Sequence, residues 1–170
     1  MGSYRLSTTE TIFSTCQRLA TLLISRQQMV ATAESCTGGG IATALTDLAG
    51  SSTWFDAGFV TYSNQAKQRM LAVPESVLIE HGAVSQPVVE AMVRGAIAHS
   101  QAQFAVAVSG VAGPSGGSAD KPVGTVWIAW GDANTQQSQR FQFSGDRQQV
   151  RAQTILAALL ALIEFIQFAE

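Results

Sequence analysis

The segment Met29–Leu48, MVATAESCTGGGIATALTDL, changes its pattern twice. It opens with Met29–Ala33, a short apolar run typical of a buried strand, and it closes with Ile41–Leu48, which has helical spacing. Between the two stands ESCTGGG, with polar residues followed by three glycines. The segment therefore predicts a strand, a tight turn and a helix, with Ser35–Thr37 at the junction.

The remaining chain supplies further strands and helices on both sides of this unit. Helical spacing predicts helices at Thr9–Ser25, Asn64–Leu71, Gln86–Ser100 and from about Asp146 onward. Apolar, aromatic and β-branched runs predict strands at Trp54–Tyr62, Phe104–Ser109, Val123–Trp130 and Gln137–Phe143, with a loop at Val111–Pro122. We expect a single α/β domain over residues 9–170, with helices packed on a mixed β-sheet, and a loose N-terminal extension over residues 1–8.

Composition narrows the class of protein. The chain has 170 residues, of which 46% are hydrophobic and 13% charged, and its formal net charge is −2. This balance predicts one well-buried globular domain and argues against a nucleic-acid partner, which selects for basic surfaces. Two cysteines, Cys16 and Cys36, without metal-ligand spacing are typical of the cytoplasm.

One apolar segment, Val150–Phe168, raises the question of a membrane. Its longest uninterrupted apolar run is Ile155–Ile163, nine residues, whereas a spanning helix needs roughly 20. We therefore expect a core helix and no membrane partner.

The junction at Ser35–Thr37 is the richest local signal. Backbone N–H groups and the positive end of a helix dipole converge there, which suits an anion or a developing oxyanion. The alternative is an ordinary helix cap. Three glycines reduce helix propensity by roughly 1 kcal/mol each, and this favours a functional role.

Ser35 or Cys36 could be a nucleophile in that turn. A serine needs a base, and the only two histidines, His81 and His99, stand far apart. Lys67, which follows Tyr62 in TYSNQAK, is a candidate if burial lowers its pKa from about 10.4 to ~7–8. The pattern alone favours the alternative, in which Lys67 is a solvated charge on the helix surface.

Five blocks of sequence carry a resemblance to a known family. They are AESCTGG (33–39), AGSSTWFDAGFVTYSNQAK (49–67), SGVAGPSGG (109–117), KPVGTVWIA (121–129) and GDRQQVRAQT (145–154). In this order, from about Thr9 to the C-terminus, the chain resembles the CinA C-terminal domain family of PncC-type nicotinamide-nucleotide amidases.

The resemblance implies an amidohydrolase that converts nicotinamide mononucleotide to nicotinate mononucleotide and ammonia, with no metal or cofactor. Ser35 would be the nucleophile, and Tyr62 and Lys67 its activating pair. Substrate would be bound by Thr37, Gly38, Gly39, Ser52, Ser109, Arg147 and Arg151. Within that set, the N–H groups near Thr37 and Gly38 would bind the oxyanion, and the two arginines would hold the phosphate. Where the family often has threonine, this chain has Ser109, which retains the hydroxyl. We also expect a homo-oligomer.

Two other functions remain open at this point. A catalytically silent nucleotide-binding or competence-related module would share the fold without the reaction. Alternatively, Cys36 could act as the nucleophile, since a helix N-terminus favours a thiolate. Consecutive residues in extended backbone point to opposite sides, so only one of Ser35 and Cys36 can face the substrate.

Overall fold

The computed structural model describes residues 11–169, so the predicted extension over residues 1–8 lies outside it. The helices are α1 (Ile12–Arg26), α2 (Gly40–Thr46), α3 (Asn64–Leu71), α4 (Glu75–His81), α5 (Gln86–Ala98) and α6 (Arg147–Phe168). The strands are β1 (Val30–Glu34), β2 (Phe55–Val60), β3 (Phe104–Gly110), β4 (Thr125–Gly131) and β5 (Gln136–Gln142).

The strands form one mixed sheet in the order β2-β1-β3-β4-β5. β1 is parallel to both β2 and β3, while β4 and β5 continue the sheet in antiparallel fashion. The α/β fold with a mixed sheet is therefore confirmed. The chain leaves β1 toward β2 and returns on the other side of β1 as β3. Such a reversal opens a crevice at the carboxyl ends of the strands, where α/β proteins bind ligands.

Helices cover both faces of the sheet. One apolar cluster joins α1, α2 and α6 to alternate residues of the strands, including Val30 and Val106. The other joins α3, α4 and α5 to the intervening residues, including Ala31 and Ala105. On the second face α3 and α5 pack very closely. A Cβ at Gly95 of α5 would collide with the carbonyl oxygen of Leu71 in α3. This close packing fixes the position of α3 beneath the crevice.

Some helices and strands begin at other residues than expected, because a capping residue or a glycine sets the boundary. α1 begins at Ile12 because Thr11 forms a capping box with Ser14. β4 begins at Thr125 rather than Val123, since Gly124 has φ +91° and interrupts extended backbone. α4 was not expected at all; it is a two-turn helix with only Leu78 buried.

α6 is, among residues 11–169, the one helix long and apolar enough to cross a membrane. Half of its most apolar window is buried inside the fold. Nine of its residues, from Val150 to Ile166, are buried, and all except Thr154 belong to the cluster shared with α1 and α2. It packs as the predicted core helix.

Candidate active site

Ser35 directly follows β1 and continues its pairing with β3. Its N–H donates to the carbonyl oxygen of Val108 at 3.1 Å. Because side chains alternate along a strand, Ser35 points to the same face as Ala31 and Ala33, toward α3. The residue is 9% exposed, so its hydroxyl lies at the edge of the crevice.

Lys67 reaches Ser35 from α3. The helix is started by Ser63, whose side chain accepts the Ala66 N–H at 3.0 Å. Lys67 Nζ donates to Ser35 Oγ at 3.0 Å and to the Thr61 carbonyl oxygen at 2.8 Å. Its side chain is 1% exposed. The structure thus brings the predicted nucleophile and the predicted base into direct contact.

Burial also alters the acidity of Lys67. Loss of hydration lowers the pKa of its ammonium group from 10.5 to about 8. Among residues 11–169 no carboxylate lies within ion-pair distance of Nζ, and the opposing effect of the Cys36 thiol on the pKa is smaller than that of burial. A substantial fraction of Lys67 is therefore neutral near physiological pH, as a general base requires.

Cys36 faces away from Lys67, into the cluster of α1, α2 and α6. Burial, with a smaller contribution from the charge of Glu34, raises the pKa of its thiol to about 11. The thiolate is the nucleophilic form of cysteine, and it is disfavoured here. The geometry therefore favours Ser35 over Cys36.

The turn after Ser35 presents two unused N–H groups. Gly38, predicted to supply an oxyanion donor, instead has its N–H directed at the Ser35 carbonyl oxygen at 3.0 Å. Within the described part of the chain, the N–H groups of Cys36 and Thr37 donate no hydrogen bond to another residue. Gly38 and Gly39 have φ +59° and +96°, the left-handed region that favours glycine. Their contribution is to shape the turn.

Of two arginines in the first turns of α6, Arg151 contacts the turn after Ser35, and Arg147 contacts two other segments. Arg151 Nη2 donates to the Thr37 carbonyl oxygen at 2.9 Å, and its buried Nε has no hydrogen-bond partner among the described residues. Arg147 donates to the Gly113 carbonyl oxygen at 2.8 Å and to the Tyr62 hydroxyl at 3.0 Å. Tyr62, 61% exposed, therefore joins Arg147 rather than Lys67 or Ser35.

The two remaining predicted residues, Ser109 and Ser52, lie at different distances from Ser35. Ser109 lies in β3 beside Ser35, because Glu34 pairs with Val108 and the next residues continue that register. Ser52 lies in the short turn before β2, at the amino end of the strands. β1 separates it from Ser35 by about 17 Å, at roughly 3.3 Å per residue. The structure does not bring Ser52 to this site within one chain.

Two contributors were missed by sequence reasoning. The Thr61 carbonyl is a backbone group without a side-chain signature, and only the fold reveals that it orients Lys67. The Glu34 carboxylate accepts hydrogen bonds from the turn after Ser35 and from the start of α2. A carboxylate at the end of an otherwise apolar strand is a pattern that could have indicated this residue. Among residues 11–169 no group of three or more histidine, cysteine, aspartate or glutamate side chains is placed to hold a metal ion.

Comparison with known proteins agrees with this fold. Residues 13–166 match the CinA C-terminal domain, and the chain belongs to that family of α/β proteins. Among its relatives is the nicotinamide-nucleotide amidohydrolase PncC of Pseudomonas putida, 66% identical over 135 residues, which cover 79% of this chain and 84% of the relative. The protein of the same name from Escherichia coli K12 is 52% identical over 147 residues, 86% of this chain and 89% of the relative.

Solved structures show the same fold. The competence damage-inducible protein A (ComA) from Klebsiella pneumoniae superposes with a TM-score of 0.91 at 39% identity, covering 95% of this chain and all of that one. The competence/damage inducible protein CihA from Agrobacterium tumefaciens gives 0.89 at 43% identity, with coverage of 97% and 99%.

Proposed function

We propose that the protein is a cytoplasmic amidohydrolase that converts nicotinamide mononucleotide to nicotinate mononucleotide and ammonia. The observation that carries this proposal is the buried 3.0 Å contact between Lys67 Nζ and Ser35 Oγ. It pairs a hydroxyl nucleophile with a lysine whose pKa is lowered to about 8. The names of relatives at 52–66% identity support the substrate.

In the first half of the reaction, neutral Lys67 takes the proton of the Ser35 hydroxyl while Oγ attacks the carboxamide carbon. The C–O bond forms as the carbonyl π bond opens, and negative charge collects on the carbonyl oxygen. The free N–H groups of Cys36 and Thr37 are the donors available to stabilise that oxygen.

Collapse of the tetrahedral intermediate breaks the C–N bond. Lys67, now an ammonium, gives its proton to the departing nitrogen, and ammonia leaves. Water then hydrolyses the acyl–Ser35 ester, with Lys67 again accepting a proton during attack and returning it to Ser35 Oγ. The acid product gives its remaining proton to solvent and departs as a carboxylate, and the starting state is restored.

The arginine side of the turn suits the nucleotide phosphate. Arg147 and Arg151 stand one turn apart on α6. Arg151 contacts Thr37 in the turn after Ser35, and Arg147 contacts Gly113. Arginine at a helix N-terminus opposes the helix dipole, and a phosphate bound there would offset that penalty. We assign Tyr62 to the orientation of Arg147, and Ser109 to the wall beside Ser35. The predicted homo-oligomer stays a prediction, which light scattering can test.

Ammonia release from nicotinamide mononucleotide tests this proposal. Ser35→Ala should lose at least about a thousandfold in kcat, because the nucleophile is removed, with an unchanged circular dichroism spectrum. Cys36→Ala is the matched control in the same turn and should keep more than a tenth of the activity. A dead Cys36→Ala with an active Ser35→Ala would transfer the role to the thiol. No ammonia from the wild-type protein would favour a silent binding module.

A further inference from the structure

Glu34, the last residue of β1, is a fully buried carboxylate outside the Ser35–Lys67 contact. Its exposure is 0%. Oε2 accepts the Thr37 hydroxyl at 2.5 Å and the Ile41 N–H at 2.9 Å, and Oε1 accepts the Ala42 N–H at 2.8 Å. A buried carboxylate is tolerated only when such donors surround it. All three donors belong to the turn after Ser35 or to the start of α2.

These contacts hold both ends of the turn that carries the free N–H groups. Glu34 points away from Ser35, since consecutive strand residues face opposite sides of the sheet. Thr37 stands near the beginning of the turn, and Ile41 lies just beyond its end. Between them Gly38 and Gly39, both with positive φ, permit the turn but add little rigidity. The carboxylate thus restrains this backbone at both ends, in addition to the single contact of Arg151 with the Thr37 carbonyl oxygen.

We propose that Glu34 is a positioning residue for amide hydrolysis. By binding Thr37 and the first N–H groups of α2, it fixes the Cys36 and Thr37 N–H groups relative to Ser35 Oγ. This inference rests on the proposed function, because it assumes that an oxyanion forms at that turn. Preorganised donors matter because a displacement of about 1 Å can reduce the rate by up to roughly 100-fold.

The competing explanation is that Glu34 only caps α2. A cap contributes to stability, and its loss lowers the melting temperature without changing the turnover of molecules that remain folded. Positioning instead predicts a lower kcat at temperatures where the variant is fully folded, with KM nearly unchanged. The pH profile discriminates further: the apparent pKa set by Lys67 should stay in place, because Glu34 does not contact Lys67.

The decisive variant is Glu34→Gln, which retains the shape. Its single carbonyl oxygen cannot serve both sides of the carboxylate, so one N–H of α2 loses its acceptor. We expect kcat to fall about 10- to 100-fold. Thr37→Val removes only the hydroxyl contact and should act in the same direction, whereas Thr37→Ser restores the hydroxyl and should recover activity. Thr32→Val is the matched control, buried on the same face of β1.

The outcomes separate this inference from the proposed function. An inactive Ser35→Ala together with wild-type kcat in Glu34→Gln and Thr37→Val would overturn the positioning role and leave the proposed reaction intact. An active Ser35→Ala would overturn the proposed reaction itself. If Glu34→Gln does not fold, the pair Thr37→Val and Thr37→Ser decides alone, and equal kcat in the two would contradict the inference.

Discussion

The turn after Ser35 has a buried lysine on its α3 side and two more accessible arginines on its α6 side. The two kinds of side chain differ in how readily they lose a proton. On the α3 side, Lys67 is 1% exposed and has no carboxylate partner among the described residues, and burial lowers its pKa to about 8. On the α6 side, Arg147 is exposed and Arg151 half-buried, and both direct N–H donors at carbonyl or hydroxyl oxygens. Guanidinium keeps its charge at any physiological pH.

The comparison shows how one turn can support two tasks. A base must be able to lose its proton, and burial of an amine without a counter-charge achieves this. A phosphate site needs permanent charge in reach of solvent, and arginine provides it. The residue types and their burial therefore divide the crevice into a side suited to proton transfer and a side suited to anion binding.

Among the three cationic side chains, replacement of Lys67 should have the largest effect. Lys67→Met should lower kcat at least about a hundredfold, the scale of general-base catalysis, measured by ammonia release. Its pKa is depressed on folding, so between about 8 and 10.5 the unfolded chain binds more protons and stability rises with pH. Below pH 8 the full penalty, about 3 kcal/mol, acts against the folded protein.

Lys67→Met removes that penalty, although two hydrogen bonds are lost with it. The variant should therefore be equally or more stable than the wild type at pH 6, as measured by urea unfolding. An inactive variant that is also markedly less stable at pH 6 would identify Lys67 as a charged structural partner.

An intermediate effect is expected on the arginine side. Arg147→Ala should weaken binding of nicotinamide mononucleotide by about one to two decades, the value of a charge-assisted contact. Nicotinamide riboside, which lacks the phosphate, should be affected far less. Arg151→Ala should show the same selectivity plus a loss in kcat, since Arg151 also holds the Thr37 carbonyl. Equal losses for both substrates would refute the phosphate assignment.

The smallest effect should come from Tyr62→Phe. The phenol bonds to Arg147 and not to the Ser35–Lys67 pair, so we expect a rise in KM of a few fold, about the worth of one hydrogen bond. A proton shuttle would instead require kcat to collapse while KM stays constant. Steady-state kinetics on the single variant distinguishes these two roles.

The sequence was informative where the signal is local. The apolar run Met29–Ala33 and the glycines that follow it predicted the strand, the turn and the place of Ser35. Lys67 was harder, because α3 is polar and its pattern favours a surface helix. Its burial comes from packing against α5, which no local pattern reveals.

Three placements in the structure could not be derived from local patterns. Ser52 stands close to β2 in sequence, but it lies at the amino end of the strands, opposite the site. The Gly38 N–H closes the turn onto the Ser35 carbonyl oxygen, a backbone contact that no residue pattern reveals. α4 escaped notice since a two-turn helix with one buried residue has no periodicity to detect.

The central claim is that Lys67 is available as a base near neutral pH. The chain contains only two lysines, Lys67 and Lys121, so lysine labelled with ¹³C at the ε-carbon gives two signals, and Lys121→Arg assigns them. We predict that the Lys67 signal titrates with a pKa of about 8, and that kcat/KM rises with pH through the same value. Titration of Lys67 near its ordinary value of about 10.4, with kcat/KM independent of pH between 7 and 9, would contradict the account.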